Sequence, residues 1–178
     1  TEIQGIRDGL ALLSRENIET EARELLTFLG NRIPLLYGPS ELEGLLRIYK
    51  VNFNETSRRP AFVGLLPEIN HNEVEMFDGN EHTSPVTSNF AVLLFLAEGL
   101  DLRLSARVKL LADTLTTRGV PVRTIHLEDW SWKSALSAIA LSMRTAGLWA
   151  KEAALAGAST ELIQEFKEKM KPFDGAGS

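Results

Sequence analysis

The sequence contains no cysteine. This absence excludes a disulfide framework and a thiolate metal site, and the cytoplasm is the expected compartment. Long apolar runs are also missing. The longest dense one, Phe90–Ala97, is too short to cross a bilayer, and the first residues lack the basic-then-apolar pattern of a signal peptide. We therefore expect a soluble protein with no membrane partner.

Positive charge and histidine are both scarce. The chain carries 24 acidic and 19 basic side chains, for a net charge of −5. Nucleic acid is therefore a poor partner, although local basic groups or helix N-termini can still bind a phosphorylated small molecule. The 3 histidines show no metal-ligand spacing, so the sequence predicts neither a metal nor a cofactor.

The length and composition suit one globular domain. The chain has 178 residues, of which 44% are apolar and 24% charged. We assign residues 1–172 to a single domain and residues 173–178 to a disordered tail. The sequence opens on Thr1 rather than Met, from which we expect it to be a piece of a longer protein.

Hydrophobic periodicity predicts alternating helices and strands. Continuous apolar runs predict strands at 33–37, 90–96 and 120–127, and a further strand can be accommodated within 60–66. Helical spacing predicts helices at 3–13, 22–29, 42–53, 102–118, 131–156 and 160–170. This alternation predicts an α/β fold, a three-layer sandwich with a mainly parallel sheet flanked by helices.

The first predicted strand leads directly into a turn and a helix. The turn reads Gly38-Pro39-Ser40, and the helix over 42–53 follows it. Open α/β sheets place their ligands beyond the carboxyl ends of the strands, where such turns lie. We therefore expect a site at that edge of the sheet.

The helix over 131–156 has an apolar stripe that becomes small toward its end. Trp132 and Met143 mark the large part of this stripe, and alanine and glycine dominate from Ala146 onward. Small residues allow another backbone to approach closely. The stripe therefore suits either the middle of the domain or a dimer interface.

Between the helix over 42–53 and the strand over 90–96 lies a polar stretch, residues 49–77, that does not resemble core. It includes Glu55 and His71, and a carboxylate with an imidazole is the pairing that proton-transfer chemistry uses. Taken alone, each of these two residues is more often a solvated turn residue than a catalytic one. Arg58 and Arg59 likewise could hold a phosphate or simply face water. The pair within one spaced pattern favours a functional site.

That pattern resembles a known family. It reads Asn54-Glu55, four residues, Pro60-Ala61-Phe62, four residues, Pro67-Glu68, one residue, then Asn70-His71-Asn72-Glu73. It is similar to the signature of the bifunctional phosphoglucose/phosphomannose isomerases of archaea and bacteria. Those enzymes contain two sugar isomerase (SIS) domains in tandem, and the chain resembles the second over nearly its whole length. The resemblance implies a flavodoxin-like SIS fold.

The resemblance also implies a function. Glucose 6-phosphate or mannose 6-phosphate would be converted to fructose 6-phosphate through a cis-enediol, in glycolysis and gluconeogenesis. Glu55 would move the proton between C1 and C2, His71 would assist ring opening in the partner subunit's site, and Lys167 would be the third catalytic element. Asn54, Arg58 and Asn70 are the expected substrate-binding residues. The partners implied are a sugar phosphate, an N-terminal SIS domain of the same chain and a second copy in a homodimer.

Parts of the family's site are not found in this sequence. The Ser/Thr-rich phosphate loop and the arginine that steadies the enediolate belong to the first domain, and residues 83–88 lack the glycine that such a loop needs. We therefore expect the isolated chain to be inactive. Two other readings stay open: a non-catalytic module that binds sugar phosphate and reports its level to a partner, and a dimerisation domain that uses the small-residue stripe over 146–157.

Overall fold

A computed structural model of the chain describes residues 16–155 and 160–173. Its sheet has four parallel strands in the order β2-β1-β3-β4. The strands are β1 Ile33–Pro39, β2 Phe62–Leu66, β3 Phe90–Ala97 and β4 Val122–Leu127. The three predicted strands are confirmed, and the further strand within 60–66 is β2, which forms one edge of the sheet.

Helices follow the strands in alternation. They are α1 Glu16–Leu29, α2 Glu43–Val51, α3 Ser84–Thr87, α4 Leu102–Thr117, α5 Trp132–Glu152 and α6 Glu161–Met170. A π-helical segment, Asn52–Thr56, continues α2. Short 3-10 turns cover Ser40–Leu42, Glu68–Asn70, Val74–Phe77 and Lys171–Phe173. The helix predicted over 3–13 and all but the first residue of the predicted tail lie outside the described residues.

The alternation of side chains along β3 produces two cores. Leu93 and Phe95 face the layer that contains α1, α2 and α5, whereas Val92 and Leu94 face the layer that contains α4. All four side chains are fully buried. Successive strand residues point to opposite faces, so an uninterrupted apolar run is what a sheet covered on both sides requires. The predicted three-layer α/β architecture is confirmed.

The buried face of α5 differs from the predicted stripe. Trp132 and Met143 are each 55% exposed, and the helix instead buries Leu141, Ser142, Thr145, Leu148 and Trp149, among others. The prediction holds for Ala146 and Ala150, which are buried, and fails for Trp132 and Met143, because packing against α1 rather than side-chain size decides which positions turn inward.

The small residues of α5 are used within the chain. Ala146 is fully buried and Ala150 is 8% exposed, and both belong to the chain's own packed interior. Burial of Ala146 and Ala150 supports the reading that this part of α5 lies in the middle of the domain. A dimer interface along 146–157 stays a prediction, since Ala154 is exposed and residues 156–157 lie outside the described residues. Within the described part of the chain, no helix is both long and apolar enough to cross a membrane.

The last helix, α6, begins where the sequence predicts. Thr160 precedes it as the N-cap residue, although the threonine side chain makes no capping hydrogen bond. None of its residues is buried, and Leu162, Ile163 and Phe166 expose 82%, 48% and 60% of their surface. Its apolar side therefore contacts little of the chain that the structure describes.

Candidate functional site

Glu55 lies on the π-helical segment that ends α2. Helix α2 turns Leu45, Leu46 and Tyr49 into the core, and the wider turn that follows buries Phe53 completely while leaving Glu55 exposed. Such π-segments are rare and occur often at functional sites. Phe53 itself belongs to the core.

The π-segment is fastened to α5 and to its own following turn. The Asn52 Nδ2 donates to the Ser142 Oγ at 2.7 Å, and Ser142 is fully buried. The buried Ser57 hydroxyl donates to the Phe53 carbonyl at 2.7 Å. Ring contact adds to these bonds, since Phe53 meets Trp149 edge to face at 5.7 Å between centroids. The backbone that carries Glu55 is thus held in one conformation while the carboxylate stays accessible.

Asn54 and Arg58, which lie on either side of Glu55 in the sequence, differ in their contacts and backbone conformation. Asn54 Oδ1 accepts the Ala61 N–H at 2.9 Å, which leaves both protons of the Asn54 amide available to a ligand. Arg58 adopts a left-handed backbone with φ of 53°, a conformation that costs a non-glycine residue about 1 kcal/mol. Its side chain is exposed.

Arg59 lines a groove that sequence reasoning did not find. Its guanidinium lies 4.7 Å from the centre of the Trp149 ring, and it donates to Asn31 Oδ1 at 3.4 Å. With Glu152 these residues line a groove of about 370 Å³. Asn31 precedes β1 and Trp149 lies near the end of α5, so no local pattern could indicate that they meet.

His71 follows β2 and its 3-10 turn. Its imidazole is exposed, and its backbone N–H donates to the Glu68 carbonyl at 2.9 Å. Asn72 Nδ2 donates to Glu68 Oε1 at 3.2 Å, so the turn is fixed by its own side chains. The buried Asn70 Oδ1 accepts no hydrogen bond from the described residues. A buried amide oxygen without a partner is energetically costly, and a hydroxyl of a bound ligand could donate to it.

Within one chain, Glu55 and His71 lie apart. The Asn54–Ala61 bond places Glu55 before β2, at the edge where the strands begin, which we call the amino edge. His71 comes after β2. Their neighbours also pack into different cores, because Phe53 belongs to the α5 side and Ile69 to the α4 side. The sequence predicts a site beyond the carboxyl ends of the strands, as in many open α/β sheets. That expectation concerns the turn after β1. Glu55 lies at the amino edge instead, whereas His71 follows the carboxyl end of β2.

Lys167 lies on the exposed helix α6. Its neighbour Lys169 forms an ion pair with Glu165, one turn earlier. Lys167 forms no ion pair within the described residues. The structure therefore leaves Lys167 as the freer of the two lysines, but it does not bring it to Glu55 or His71.

Two buried tyrosines adjoin this region. Burial raises the pKa of Tyr37 far above its ordinary value, and the nearby Glu73 carboxylate raises it further. Burial likewise raises the pKa of Tyr49, with a smaller contribution from Glu21. Both phenols therefore stay protonated at any neutral pH, and neither can act as a base.

The strand order alone assigns the chain to a class of α/β folds. The order β2-β1-β3-β4, all parallel and covered on both faces, is the beginning of the flavodoxin-like arrangement among doubly wound α/β folds. The family model described as the bacterial phospho-glucose isomerase C-terminal SIS domain matches residues 18–170. The chain belongs to this family of SIS domains.

Individual relatives agree with the family. The chain is 26% identical to the bifunctional phosphoglucose/phosphomannose isomerase of Aquifex aeolicus over 130 residues, covering 65% of this chain and 39% of that protein. It is 32% identical to the D-glucosamine-6-phosphate 4-epimerase of Sulfolobus acidocaldarius over 79 residues, 44% of this chain and 24% of that protein. A hypothetical protein from Thermus thermophilus shares the fold, with a TM-score of 0.62, 14% identity, 83% of this chain covered and 43% of its own. The chain spans less than half the length of each of these proteins.

Proposed function

We propose that the chain is the C-terminal SIS domain of a sugar-phosphate aldose–ketose isomerase. The reaction would interconvert glucose 6-phosphate or mannose 6-phosphate with fructose 6-phosphate. The observation that carries the proposal is Glu55, an accessible carboxylate on a π-segment fastened by Asn52 and Ser57. Membership of the family and the Aquifex relative's name support the substrate class.

In this mechanism Glu55 acts as the base. It removes the proton from C2 of the open-chain aldose to leave a cis-enediol, and the same proton returns to C1. The hydroxyl proton passes from O2 to O1, which gives the ketose with an internal redox balance. A free glutamate titrates at about 4.3 and is a weak base for a carbon acid at neutral pH. A covering domain must therefore exclude water from Glu55, because a desolvated carboxylate is a stronger base. We assign that role to an N-terminal SIS domain of the same parent chain.

The ring-opening proton would come from a second copy. We assign the imidazole that serves one Glu55 to the other subunit of a homodimer, and the positions of Glu55 before β2 and of His71 after it support this assignment. Lys167, on the exposed helix α6, would reach the substrate only when that helix docks. Asn54 would donate its two amide protons to sugar hydroxyls, with Arg58 and Asn70 as further contacts. The parent would work in the cytoplasm, in glycolysis and gluconeogenesis.

The test is turnover by the full-length parent. We expect Glu55→Gln to abolish conversion of fructose 6-phosphate while Glu41→Gln, an exposed glutamate after β1, leaves it unchanged. Wild-type turnover in Glu55→Gln would reject the base assignment. The purified chain alone should be inactive. Binding of sugar phosphate without turnover by the intact parent would instead indicate the regulatory module.

A second candidate reaction is epimerisation. It is favoured by the 32% identity to the Sulfolobus epimerase, whose name specifies glucosamine 6-phosphate. Product analysis separates the two reactions, because an isomerase converts an aldose to a ketose whereas an epimerase returns an aldose with one inverted centre. We expect the parent to form the ketose from glucose 6-phosphate and to leave glucosamine 6-phosphate unchanged.

A further inference from the structure

A second groove lies at the amino edge of the sheet, on the α4 side. It encloses about 220 Å³, and Phe77, Val120 and Pro121 give it an apolar floor. The polar part of its lining comes from three separate pieces of sequence: Arg32 before β1, Arg118 after α4, and the hydroxyls of Ser84, Thr87 and Ser88. Glu55 belongs to the layer on the other side of the sheet and does not line this groove.

The charge of the groove is positive. Arg32 and Arg118 are both exposed, and neither forms an ion pair with the described residues. Asp78 is an acid on which the Arg118 charge acts, and its carboxylate accepts hydrogen bonds from Asn80 and Thr83. Those bonds, with that of the Asn80 side chain first, lower the pKa of Asp78, and the Arg118 charge adds a smaller lowering. Asp78 is therefore occupied by its own turn and does not neutralise the arginines through a direct contact.

The hydroxyls complete the lining. Ser84 Oγ donates to the Asn80 carbonyl at 2.8 Å, Thr87 Oγ1 to the Thr83 carbonyl at 3.1 Å and Ser88 Oγ to the Pro85 carbonyl at 3.2 Å. A hydroxyl proton rotates freely, so each can turn from its carbonyl to an incoming acceptor. The backbone N–H of Gly79 is a further donor, since it makes no hydrogen bond within the described chain.

We propose that this groove binds the phosphate group of a phosphate monoester. A phosphate dianion presents three terminal oxygens and forms its strongest hydrogen bonds with guanidinium groups, which two arginines from different segments supply here. The helix α3 is only 4 residues long, so its dipole contributes little and the arginines carry the charge. The segment over 83–88 lacks the glycine of a phosphate loop. The positive charge for the phosphate comes from Arg32 and Arg118 instead.

The volume limits what the groove can hold. A space of about 220 Å³ accommodates a phosphate together with a few more heavy atoms, and the apolar floor would contact the part next to the phosphate. Inorganic phosphate and a sugar phosphate share the recognised chemistry. The groove is separate from the proposed isomerase centre. A result that rejects the role of Glu55 would therefore leave the phosphate proposal unaffected, and the reverse also holds.

The test is titration of the chain with inorganic phosphate and, separately, with glucose 6-phosphate at constant ionic strength, followed by amide chemical shifts. We expect saturable shifts at Gly79 and Gly119. Arg32→Gln and Arg118→Gln should each weaken binding about tenfold or more, because each removes a charge-assisted contact. Arg118→Lys, which keeps the charge, should recover part of it. Arg107→Gln is the matched control, since it removes an exposed arginine of α4 that does not line the groove.

The outcomes separate cleanly. Tighter binding of glucose 6-phosphate than of phosphate supports a monoester site, and equal binding supports a site that recognises the phosphate group alone. Binding that weakens equally in Arg107→Gln and in the groove variants would mean an adventitious ion only, and the proposal would fall. Absence of saturation by either ligand would also reject it. If Arg118→Gln lowers the melting temperature, Ser88→Ala, at an exposed position, provides the same comparison.

Discussion

The side chain of Asn52 reaches the buried hydroxyl of Ser142 at 2.7 Å, and this bond joins the segment that carries Glu55 to the helix α5. Ser142 Oγ in turn donates to the Ile139 carbonyl at 2.7 Å. The hydroxyl therefore acts as acceptor and donor at once, in a place that water does not reach. A buried polar group with both bonds made is a strong constraint on local geometry.

Removing this hydroxyl should destabilise the protein. Ser142→Ala leaves the Asn52 amide without its acceptor, and we expect the free energy of unfolding to fall by about 1–3 kcal/mol. Ser137→Ala is the control, because its hydroxyl donates only to the Lys133 carbonyl of the same helix, near the surface, and should cost about 0.5 kcal/mol or less. Denaturant unfolding measures both. Additive losses in the double variant Asn52→Ala, Ser142→Ala would show that the bond contributes nothing.

Gly64 provides a second prediction, from steric contact. A Cβ built on Gly64 would lie 2.5 Å from Ile69 Cγ2 and 2.8 Å from Tyr37 Cε1. Gly64→Ala must therefore displace side chains on which the α4-side core depends, and we expect a loss of about 1–3 kcal/mol in stability. Gly44 is the matched control. A Cβ there meets nothing within 4 Å, so Gly44→Ala should stabilise α2 by about 1 kcal/mol. Equal effects of the two substitutions would contradict this account of the β2 packing.

The same glycine explains why β2 was the hardest strand to predict. A short run that contains Gly64 and begins with a half-exposed Phe62 has neither clean alternation nor an unbroken apolar stretch. By contrast, the run over β3 is buried on both faces and could be read directly from composition. Along α5 the sequence predicts the burial of Ala146 but not that of Ser142 and Thr145, because these two polar residues are buried by their hydrogen bonds and by α1 rather than by their own hydrophobicity.

The candidate site likewise has residues that the sequence identifies and an arrangement that only the fold shows. Glu55 and His71 stand out as a spaced pattern, so sequence reasoning could single them out. Their placement beyond opposite ends of β2 depends on the π-segment and on how the chain crosses the sheet, which no local pattern encodes. The stacking of Arg59 on Trp149 joins positions far apart in sequence and is a property of the fold alone.

The two buried tyrosines predict how stability depends on pH. Burial raises the pKa of both Tyr37 and Tyr49 in the folded state, whereas an unfolded tyrosine titrates at about 10. Below that pH both states hold the proton and stability is unaffected. Above it the unfolded chain releases protons that the folded chain keeps, so stability should fall by about 1.4 kcal/mol per pH unit for each tyrosine.

Tyrosinate absorbance during an alkaline titration is the measurement. The chain has only 2 tyrosines, so the signal should appear in one step, together with loss of helical circular dichroism. Tyr49→Phe should reduce the slope of stability against pH. At neutral pH it should not lower stability, because the Tyr49 hydroxyl is buried and makes no hydrogen bond within the described residues. Ionisation of either tyrosine while the protein stays folded would show that water reaches its hydroxyl, and would contradict this prediction.

The separation of Glu55 from His71 predicts complementation between inactive subunits of the full-length parent. Glu55→Gln alone and His71→Ala alone should each abolish isomerisation. If each site combines Glu55 of one subunit with His71 of the other, a mixed dimer of the two variants has one site with both defects and one site with neither. Co-refolding equal amounts should therefore restore about a quarter of the wild-type activity, since half of the dimers are mixed and each has one intact site.

The control is the double variant. Mixing the wild type with a chain that carries both substitutions gives mixed dimers in which every site lacks one residue, so activity should fall below the share contributed by the wild-type chain. Mixing that leaves the two single variants inactive would place both residues in the same subunit's site. Such a result would mean that Glu55, before β2, and His71, after it, meet within one subunit, so that a second copy would not be needed to complete the site.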